Sequence, residues 1–575
     1  MGMGGLVGVV VGLVVLLLPG ALGWTLHEGS AIHLYVPSMA EVTPDMYTGE
    51  WAVEFHHHVE DVHAVVAEHG MEILELIHHP SRKVFLVKES PNVERAFYPA
   101  LNASEHVKWA EQQYELVREH RDIGSKDPQY PSQWHLHGVD GLSLRVDEVW
   151  ESGFTGAGCQ IAVVDDGLQY TNKDLSRNYV ASSSYDFNYG DDDPYPDSRY
   201  DLHGTKAAGC AAASSNSFCG VGTAPEASIA GIRLISRKAT DAKEAQALTY
   251  KPNKNVIYSN SWGPTDNGKT LEGPGHLTTS AMQETILSGR RGLGPLYVWA
   301  GGNGRQKKDN GNFDGYVNKI FTIPIGSYDS AGNQAYYSED CACLLASAPS
   351  SGSSGTRGIT TCASDGSGSQ CISNFGGTSA SAPMVSGIMC LLLQARPDLS
   401  WRDVQYLIVE SSQVVKENDS SWKENGAGKL FSHRFGFGRI DAVELLNLAQ
   451  EWENVPDSSY IDSGDIEGRT VSANGKETWV VPCSVDVTVE HLQLFFDITT
   501  ARRGKITIDL ISPSGMKSEL MPQHDDFAQN YYWVASSVAS WGESSLGDWT
   551  IEVSNLYTRD ATVNSLRLFI DGILA

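Results

Sequence analysis

The chain has 575 residues, 41% apolar and 19% charged, enough for about three or four domains. Seventy Asp and Glu against 42 Lys and Arg leave a net charge of −28, which excludes a general nucleic-acid binder and favours basic partners. No low-complexity tract, collagen period or solenoid repeat is present. Residues 1–23 hold a Leu/Val/Gly run from Leu6 to Leu18, Pro19, and the small-residue end Ala21-Leu22-Gly23. This is the layout of a cleaved signal peptide without its charged start, and the run is short for a membrane anchor. No other stretch approaches spanning length, so a soluble mature chain without a transmembrane anchor is expected. Asn102-Ala-Ser and Asn418-Asp-Ser are glycosylation sequons. Nine cysteines leave at least one unpaired, and the leader implies an oxidising setting.

Residues 24–121 form a polar block with 11 of the 18 histidines, including His56-His57-His58 and His78-His79. It ends in Arg118-Glu119-His120-Arg121. Residues 122–452 alternate apolar runs with helical patterns. Ile161–Val164 runs into Asp165-Asp166-Gly167, Val256–Tyr258 into Ser259–Gly263, and Leu296–Ala300 into Gly301–Gly304. Apolar strands ending in polar turns predict a parallel α/β sheet with flanking helices and a site beyond the strand carboxyl ends. Residues 454–474 have a linker composition. The alternation in Leu492–Leu494, Ile506–Leu510 and Trp549–Val553 then predicts a β-sandwich of jelly-roll type over 453–575.

The middle block carries the parts of an acyl-transfer centre. A serine hydroxyl needs an imidazole base, the imidazole needs a buried carboxylate, and the oxyanion needs donors. Asp165 stands at a strand end, and His203 opens a small-residue helix in Asp201-Leu-His-Gly-Thr-Lys206. Ser379, in Gly376–Pro383, stands at a helix start where the dipole favours negative charge. Asn303 offers a side-chain donor. The order Asp, His, Ser is that of subtilisin.

Asp165-Asp166-Gly167, His203-Gly-Thr205, Ser261–Pro264, Trp299–Gly304, Asp314-Gly-Tyr316 and Gly377–Pro383 together resemble the furin/kexin branch of the subtilases, the proprotein convertases. Trp51-Ala-Val53 and Val107–Gln113 resemble its small α+β propeptide. Arg503-Gly504, Ser512–Gly515 and Trp541–Glu543 resemble its P domain. The resemblance implies a monomeric serine endoprotease of the secretory pathway that cleaves precursor proteins after paired or clustered basic residues. It assigns Asp165, His203 and Ser379 to the triad and Asn303 to the oxyanion. Asp266 and Asp314 fall at the first basic subsite, Asp166 at the second, and Glu244 and Glu272 at the fourth, with Asp241 nearby. Calcium is implied at three places. The first comprises Asp127, Asp174, Asn216 and the carbonyls of Ala213, Phe218 and Gly220. The second comprises Asp266, Asp309 and Glu339, and the third Asp186, Asp191 and Asp193.

The propeptide is expected to inhibit in cis until cleaved after Arg121, since Arg118 and Arg121 supply the first and fourth basic positions. Its histidine excess suggests pH sensitivity, although no histidine stands at the family's sensing position. The resemblance pairs Cys219 with Cys371. Gly311 replaces the partner of Cys341, which leaves Cys362 as a candidate partner for Cys341 or Cys343, and Cys483 has lost its own partner. Lys206-Ala207 and Phe375-Gly376 depart from the family's pattern beside the triad. Lys238 stands where an outer subsite often has an acid, and Thr265 and Asn267 replace acids flanking Asp266. A broad-specificity secreted subtilase and a catalytically silent binding homologue are the alternative readings; acid-lined subsites weigh against the first and an intact triad against the second.

Overall fold

The computed structural model describes residues 47–77, 83–89, 104–114, 126–138, 141–197, 200–364 and 368–574. The leader, Asn102, His78-His79, Arg118 and Arg121 lie outside the described residues. The chain divides into two compact units, residues 1–120 and 121–575.

In the first unit, strands β1 (Tyr47–Phe55), β2 (Met71–Ile77), β3 (Val84–Glu89) and β4 (Val107–Tyr114) form an antiparallel sheet in the order β2-β3-β1-β4. Helix α1 (Val62–Glu68) is started by Asp61, whose side chain accepts from Ala64 N. Trp51, Val53, Phe55, Val66 and Val87 form its core.

In the second unit, β5 (Gln160–Asp165), β6 (Tyr185–Asp186), β7 (Ser228–Arg233), β8 (Ile257–Asn260), β9 (Leu296–Ala300), β10 (Thr322–Tyr328) and β11 (Ala346–Pro349) make a parallel sheet. The order is β11-β10-β9-β8-β5-β7-β6. After β5 the chain builds β6 and β7 on one side, then crosses to β8 and continues outward on the other. Strand order therefore reverses at β5 and β8, where an open α/β sheet leaves a crevice at its carboxyl edge. Alternate residues of β5 enter different cores: Ile161 and Val163 join one, Ala162 and Val164 the other. Both faces are covered, which is why these strands read as unbroken apolar runs.

The helices are α2 (Val146–Glu151), α3 (His203–Ala212), α4 (Asp241–Leu248), α5 (His276–Ser288), α6 (Thr378–Ala395), α7 (Trp401–Ser411) and α8 (Ala442–Gln450). Helix α6 is long and apolar enough to cross a membrane, but 89% of it is buried in this protein's core. A hairpin of β12 (Ile359–Ala363) and β13 (Gln370–Phe375) leads into α6, and a second, β14 (Lys423–Glu424) with β15 (Leu430–Phe431), follows α7.

The carboxyl-terminal fifth is a sandwich of two antiparallel sheets. One is β16 (Ser459–Asp462), β25 (Ala561–Leu574), β20 (Val487–Thr499) and β23 (Tyr531–Ser537); β17 (Ile466–Glu467) and β18 (Thr470–Val471) also pair with β25. The other is β19 (Lys476–Cys483), β24 (Gly547–Asn555), β21 (Ile506–Ile511) and β22 (Lys517–Met521). Trp479, Leu494, Phe496, Ile508, Trp549 and Ile551 fill the space between them. The segment read as a linker, 454–474, instead contributes β16, β17 and β18. Strands of two to four residues leave no period in a Ser/Asp/Gly-rich text; the long β25 alongside supplies their register.

Candidate active site

Asp165 closes β5 and is almost fully buried. His203, the first residue of α3, places Nδ1 3.0 and 2.9 Å from the two oxygens of Asp165. Burial pulls the imidazole pKa down, but the charge and hydrogen bond of Asp165 outweigh it, and the value lies above the ordinary one. With Nδ1–H donating, Nε2 is the nitrogen left to accept a proton.

Asp166 caps the same helix: Oδ2 accepts from His203 N (3.0 Å) and Oδ1 from Gly204 N (2.8 Å). Burial, reinforced by Asp165, pushes its carboxyl up to about 7. Gly204 has no alternative here, because a Cβ would sit 2.3 Å from the Gly167 carbonyl. The two departures beside the triad are one packed unit. Lys206 Nζ lies 5.3 Å above the Phe375 ring, whose centroid is 5.8 Å from that of His203 in an edge-on contact.

Ser379 is the second residue of α6, after Gly377 in a left-handed conformation (φ 81°). Its Oγ donates to Ser261 O at 3.4 Å. Among the described residues no hydrogen bond joins Ser379 to His203; catalytic bonds are often loose before substrate arrives. Asn303 accepts through Oδ1 from Thr378 N (2.8 Å) and Thr378 Oγ1 (3.1 Å), and its side chain also bonds the Asp266 carboxylate, to which only Nδ2 can donate. Its own N–H donates to Asp266 Oδ2 at 2.8 Å. Asp266, Asn303, Thr378 and Ser379 are thus joined by a short chain of bonds.

That chain opens onto a cluster of acids. Ligand oxygens of Asp266, Asp309 and Glu339 all lie within 4.8 Å of one another, with the last two buried. Burial and mutual repulsion raise Asp309 to about 6 and Glu339 well above the carboxylate range. Asp314 lies beneath Gly263, where a Cβ would approach its Oδ2 to 2.4 Å, and burial lifts it to about 8. Among the described residues no Lys or Arg forms an ion pair with any of these four. Such a cluster is stable as anions only with a cation beside it. Glu272 pairs by backbone with Asp314, and Glu244 accepts from Tyr316 Oη at 2.6 Å. Asp241 lies behind them with both oxygens taken by the amides of Leu277 and Thr278, where it caps α5.

Asn216 bridges two further acids, donating from its backbone to Asp127 (2.9 Å) and from Nδ2 to Asp174 Oδ1 (3.0 Å). Asp174 Oδ2 is buried without a hydrogen-bond partner. Burial raises Asp127 to about 6 and Asp174 to about 7. An orphaned carboxylate oxygen beside a second buried carboxylate fits a hard cation with oxygen ligands. The carbonyl of Ala213 accepts from Gly222 N, and Phe218 N donates to Asn216 Oδ1. Asp186, Asp191 and Asp193 share one loop, but Asp186 is already paired with Arg233; Asp191 and Asp193 accept from backbone amides two residues on.

Arg233, at the end of β7, is a site-building residue that the sequence reading passed over. It is almost fully buried, donates to Asp166 O (3.0 Å), Asp186 (2.8 Å) and Asp201 (2.7 Å), and also meets Asp197. A lone guanidinium ending an apolar strand was its signal. Tyr337 was also missed; its Oη accepts from Gly377 N and steadies the turn before Ser379.

Disulfides join Cys159 to Cys390, Cys219 to Cys371 and Cys341 to Cys343. Cys362, considered as a partner for Cys341 or Cys343, is instead free, as are Cys210 and Cys483. Cys362 faces the Thr205 carbonyl on α3, whereas Cys341 lies beside Gly311, where a Cβ would fall 3.3 Å from its Sγ.

Family models match three segments: the Peptidase S8 pro-domain at 50–121, the Subtilase family at 156–438 and the Proprotein convertase P-domain at 489–569. Mouse furin is 37% identical over 532 residues, 89% of this chain and 66% of its own length. Bovine furin is 37% identical over 93% of this chain and 69% of its own. The dibasic-processing endoprotease of Yarrowia lipolytica is 38% identical over 78% of this chain and 48% of its own. The chain therefore spans about two thirds or less of these relatives' length. A serine protease of Aeromonas sobria shares the fold, with a TM-score of 0.71 at 21% identity over 79% of this chain and 97% of that one. With pro-domain, subtilase core and P domain in this order, and this identity to furin, the chain belongs to the furin/kexin proprotein convertases of the subtilase family of serine endopeptidases.

Proposed function

We propose that the protein is a calcium-dependent serine endoprotease of the secretory pathway that cleaves precursor proteins after paired or clustered basic residues. The observation that carries this reading is the bonded path from Ser379 through Thr378 and Asn303 to Asp266, which sets an acid cluster, without a Lys or Arg ion pair among the described residues, beside a serine at a helix start.

In this reading Ser379 Oγ attacks the scissile carbonyl while His203 Nε2 takes its proton. Asp165 holds the imidazole by Nδ1 and stabilises the imidazolium. Asn303 Nδ2 and the start of α6 donate to the oxyanion. His203 returns the proton to the leaving amine, and a water deprotonated by the same nitrogen releases the acyl group. Asp314 and Asp266 receive the first basic side chain, since a guanidinium is held best by carboxylates that accept two bonds. Asp166 faces the second, and Glu244 with Glu272 the fourth, backed by Asp241.

Asp127, Asp174 and Asn216, with the carbonyls of Ala213, Phe218 and Gly220, would hold one calcium ion; Asp266, Asp309 and Glu339 a second; and Asp186, Asp191 and Asp193 a third. Calcium would supply there the positive charge that buried carboxylates need. Residues 24–121 act as an intramolecular inhibitor, released by cleavage after Arg121, and Asn102 and Asn418 carry glycans.

The test is initial rates on matched fluorogenic peptides with Arg or Ala at the first and fourth positions before the bond, in calcium and in chelator. A large Arg preference that chelation abolishes is expected. Equal rates on both peptides would replace this reading with a broad subtilase, and no turnover by folded, propeptide-free protein with a silent homologue.

A further inference from the structure

The His56-His57-His58 run has no role in the proteolytic reading, and the structure gives it a neighbour. Strand β1 ends at Phe55, which pairs with Val107 at the start of β4. One step beyond that pair, His56 N donates to His106 O at 3.0 Å. The antiparallel register therefore sets His106 across from the run. The ring centroids of His56 and His58 are 5.4 Å apart, and those of His58 and His106 are 6.4 Å apart. His58 is exposed and His56 and His106 half-buried, and among the described residues no hydrogen bond engages their ring nitrogens.

We propose that His56, His58 and His106 form a site for a borderline transition-metal ion of the zinc class, clamping the β1 end to the β4 start in the propeptide. Zinc takes imidazole nitrogen at about 2.0–2.1 Å in a tetrahedral arrangement, which places bound rings with centroids about 5 Å apart. The His56–His58 spacing lies close to that, and the His58–His106 spacing is wider by more than 1 Å. The rings of His56 and His58 are stacked, with planes 19° apart, so closure requires them to turn until their nitrogens converge. The exposed His58 is free to do so, and water completes the shell. Imidazole selects zinc and copper over calcium, which separates this site from the acid clusters of the second unit, whose ligands are oxygen.

The test uses the full-length chain carrying Ser379→Ala, so that the propeptide stays attached, in saturating calcium. Cobalt(II) serves as a visible probe and is displaced by zinc. One equivalent of cobalt is expected to give ligand-field absorption. His58→Ala and His106→Ala should each weaken zinc binding by about tenfold or more, with unchanged circular dichroism. Three results would overturn the proposal: no zinc binding up to millimolar concentration, binding in both variants as tight as in the parent protein, or a loss on Glu339→Gln instead, which would place the metal among the acids. Loss in His58→Ala but not in His106→Ala would reduce the site to a local pair and equally exclude the clamp. The conservative His106→Gln keeps the measurement interpretable if His106→Ala disturbs β4.

Discussion

Asn303 is where the candidate site is most exposed to a single substitution. Its amide oxygen is held by Thr378, so Nδ2, which also bonds the Asp266 carboxylate, is the side chain's one donor toward developing charge. Asn303→Ala is expected to lower kcat by about 10²–10³-fold with little change in KM, as measured by steady-state kinetics on an Arg peptide. A change confined to KM would remove Asn303 from the oxyanion role. Lys206 offers a second test. Its charge opposes the imidazolium of His203, against the stronger pull of Asp165. Lys206→Met removes that opposition, so the His203 pKa rises. Catalysis needs the neutral base, so the acid limb of the kcat/KM profile should move to higher pH. A shift the other way would contradict the assignment of that limb to His203.

Among the elements, β7 and α3 depend on one buried cation. Arg233 neutralises Asp186 and Asp201 and holds the carbonyl of Asp166, whose side chain caps the histidine-bearing helix. Arg233→Met leaves those carboxylates buried without a counter-charge, a loss expected at about 3–5 kcal/mol in urea unfolding. A loss under about 1 kcal/mol would mean that the acids are solvated or separately neutralised. The P domain touches the loop before Asp314 through another element. Asn312 donates to Ser536 O and accepts from Ser536 N, Asn318 donates to Val534 O, and Trp533 donates to Asn312 O. Strand β23 thereby grips the loop between Asp309 and Asp314. Trp533→Ala is expected to raise KM for Arg peptides several-fold more than for Ala peptides. An equal effect on both would make the contact purely structural.

For the molecule as a whole, buried histidines, two of them at domain contacts, weaken the fold in acid. His491 on β20 meets Gln405 of α7 at 2.8 Å, and His433 accepts from Glu519 N of β22 at 3.0 Å. Burial lowers His491 to about 3 and His433 to about 4, and lowers His135 in the catalytic core to about 3. A depressed folded-state pKa contributes stability that is complete above the ordinary value of 6.5 and is lost as pH falls toward the folded value. In that window the unfolded chain binds more protons. Each histidine should therefore cost about 1.4 kcal/mol per pH unit below 6.5. Between pH 6 and 4 these histidines lower the Tm while the raised carboxylates of the acid clusters act in the opposite sense, and His491→Gln should make the Tm less sensitive to acid. An unchanged slope would assign the loss to other groups.

Much of this protein was legible in its residues because its chemistry is local. Ile161–Val164 and Leu296–Ala300 are buried on both faces and so appear as continuous apolar runs, while Ile506–Leu510 alternates because one face meets the sandwich core. The segments around Asp165, His203, Asn303 and Ser379 stand out because tight turns at strand and helix ends demand glycine beside a polar side chain. What remained hidden depends on residues far apart in the chain. The short strands β16 to β18 have no period of their own. Arg233 matters through aspartates 32 and 47 positions away. The sequence alone did not reveal the Cys159–Cys390 bond, the cap that Asp241 places on α5, the grip of β23 on the Asn312 loop or the meeting of His106 with His56 and His58. Those contacts exist only once sheet order and register bring the segments together, and a linear pattern records the nature of a side chain but not the partner that will neutralise, cap or face it.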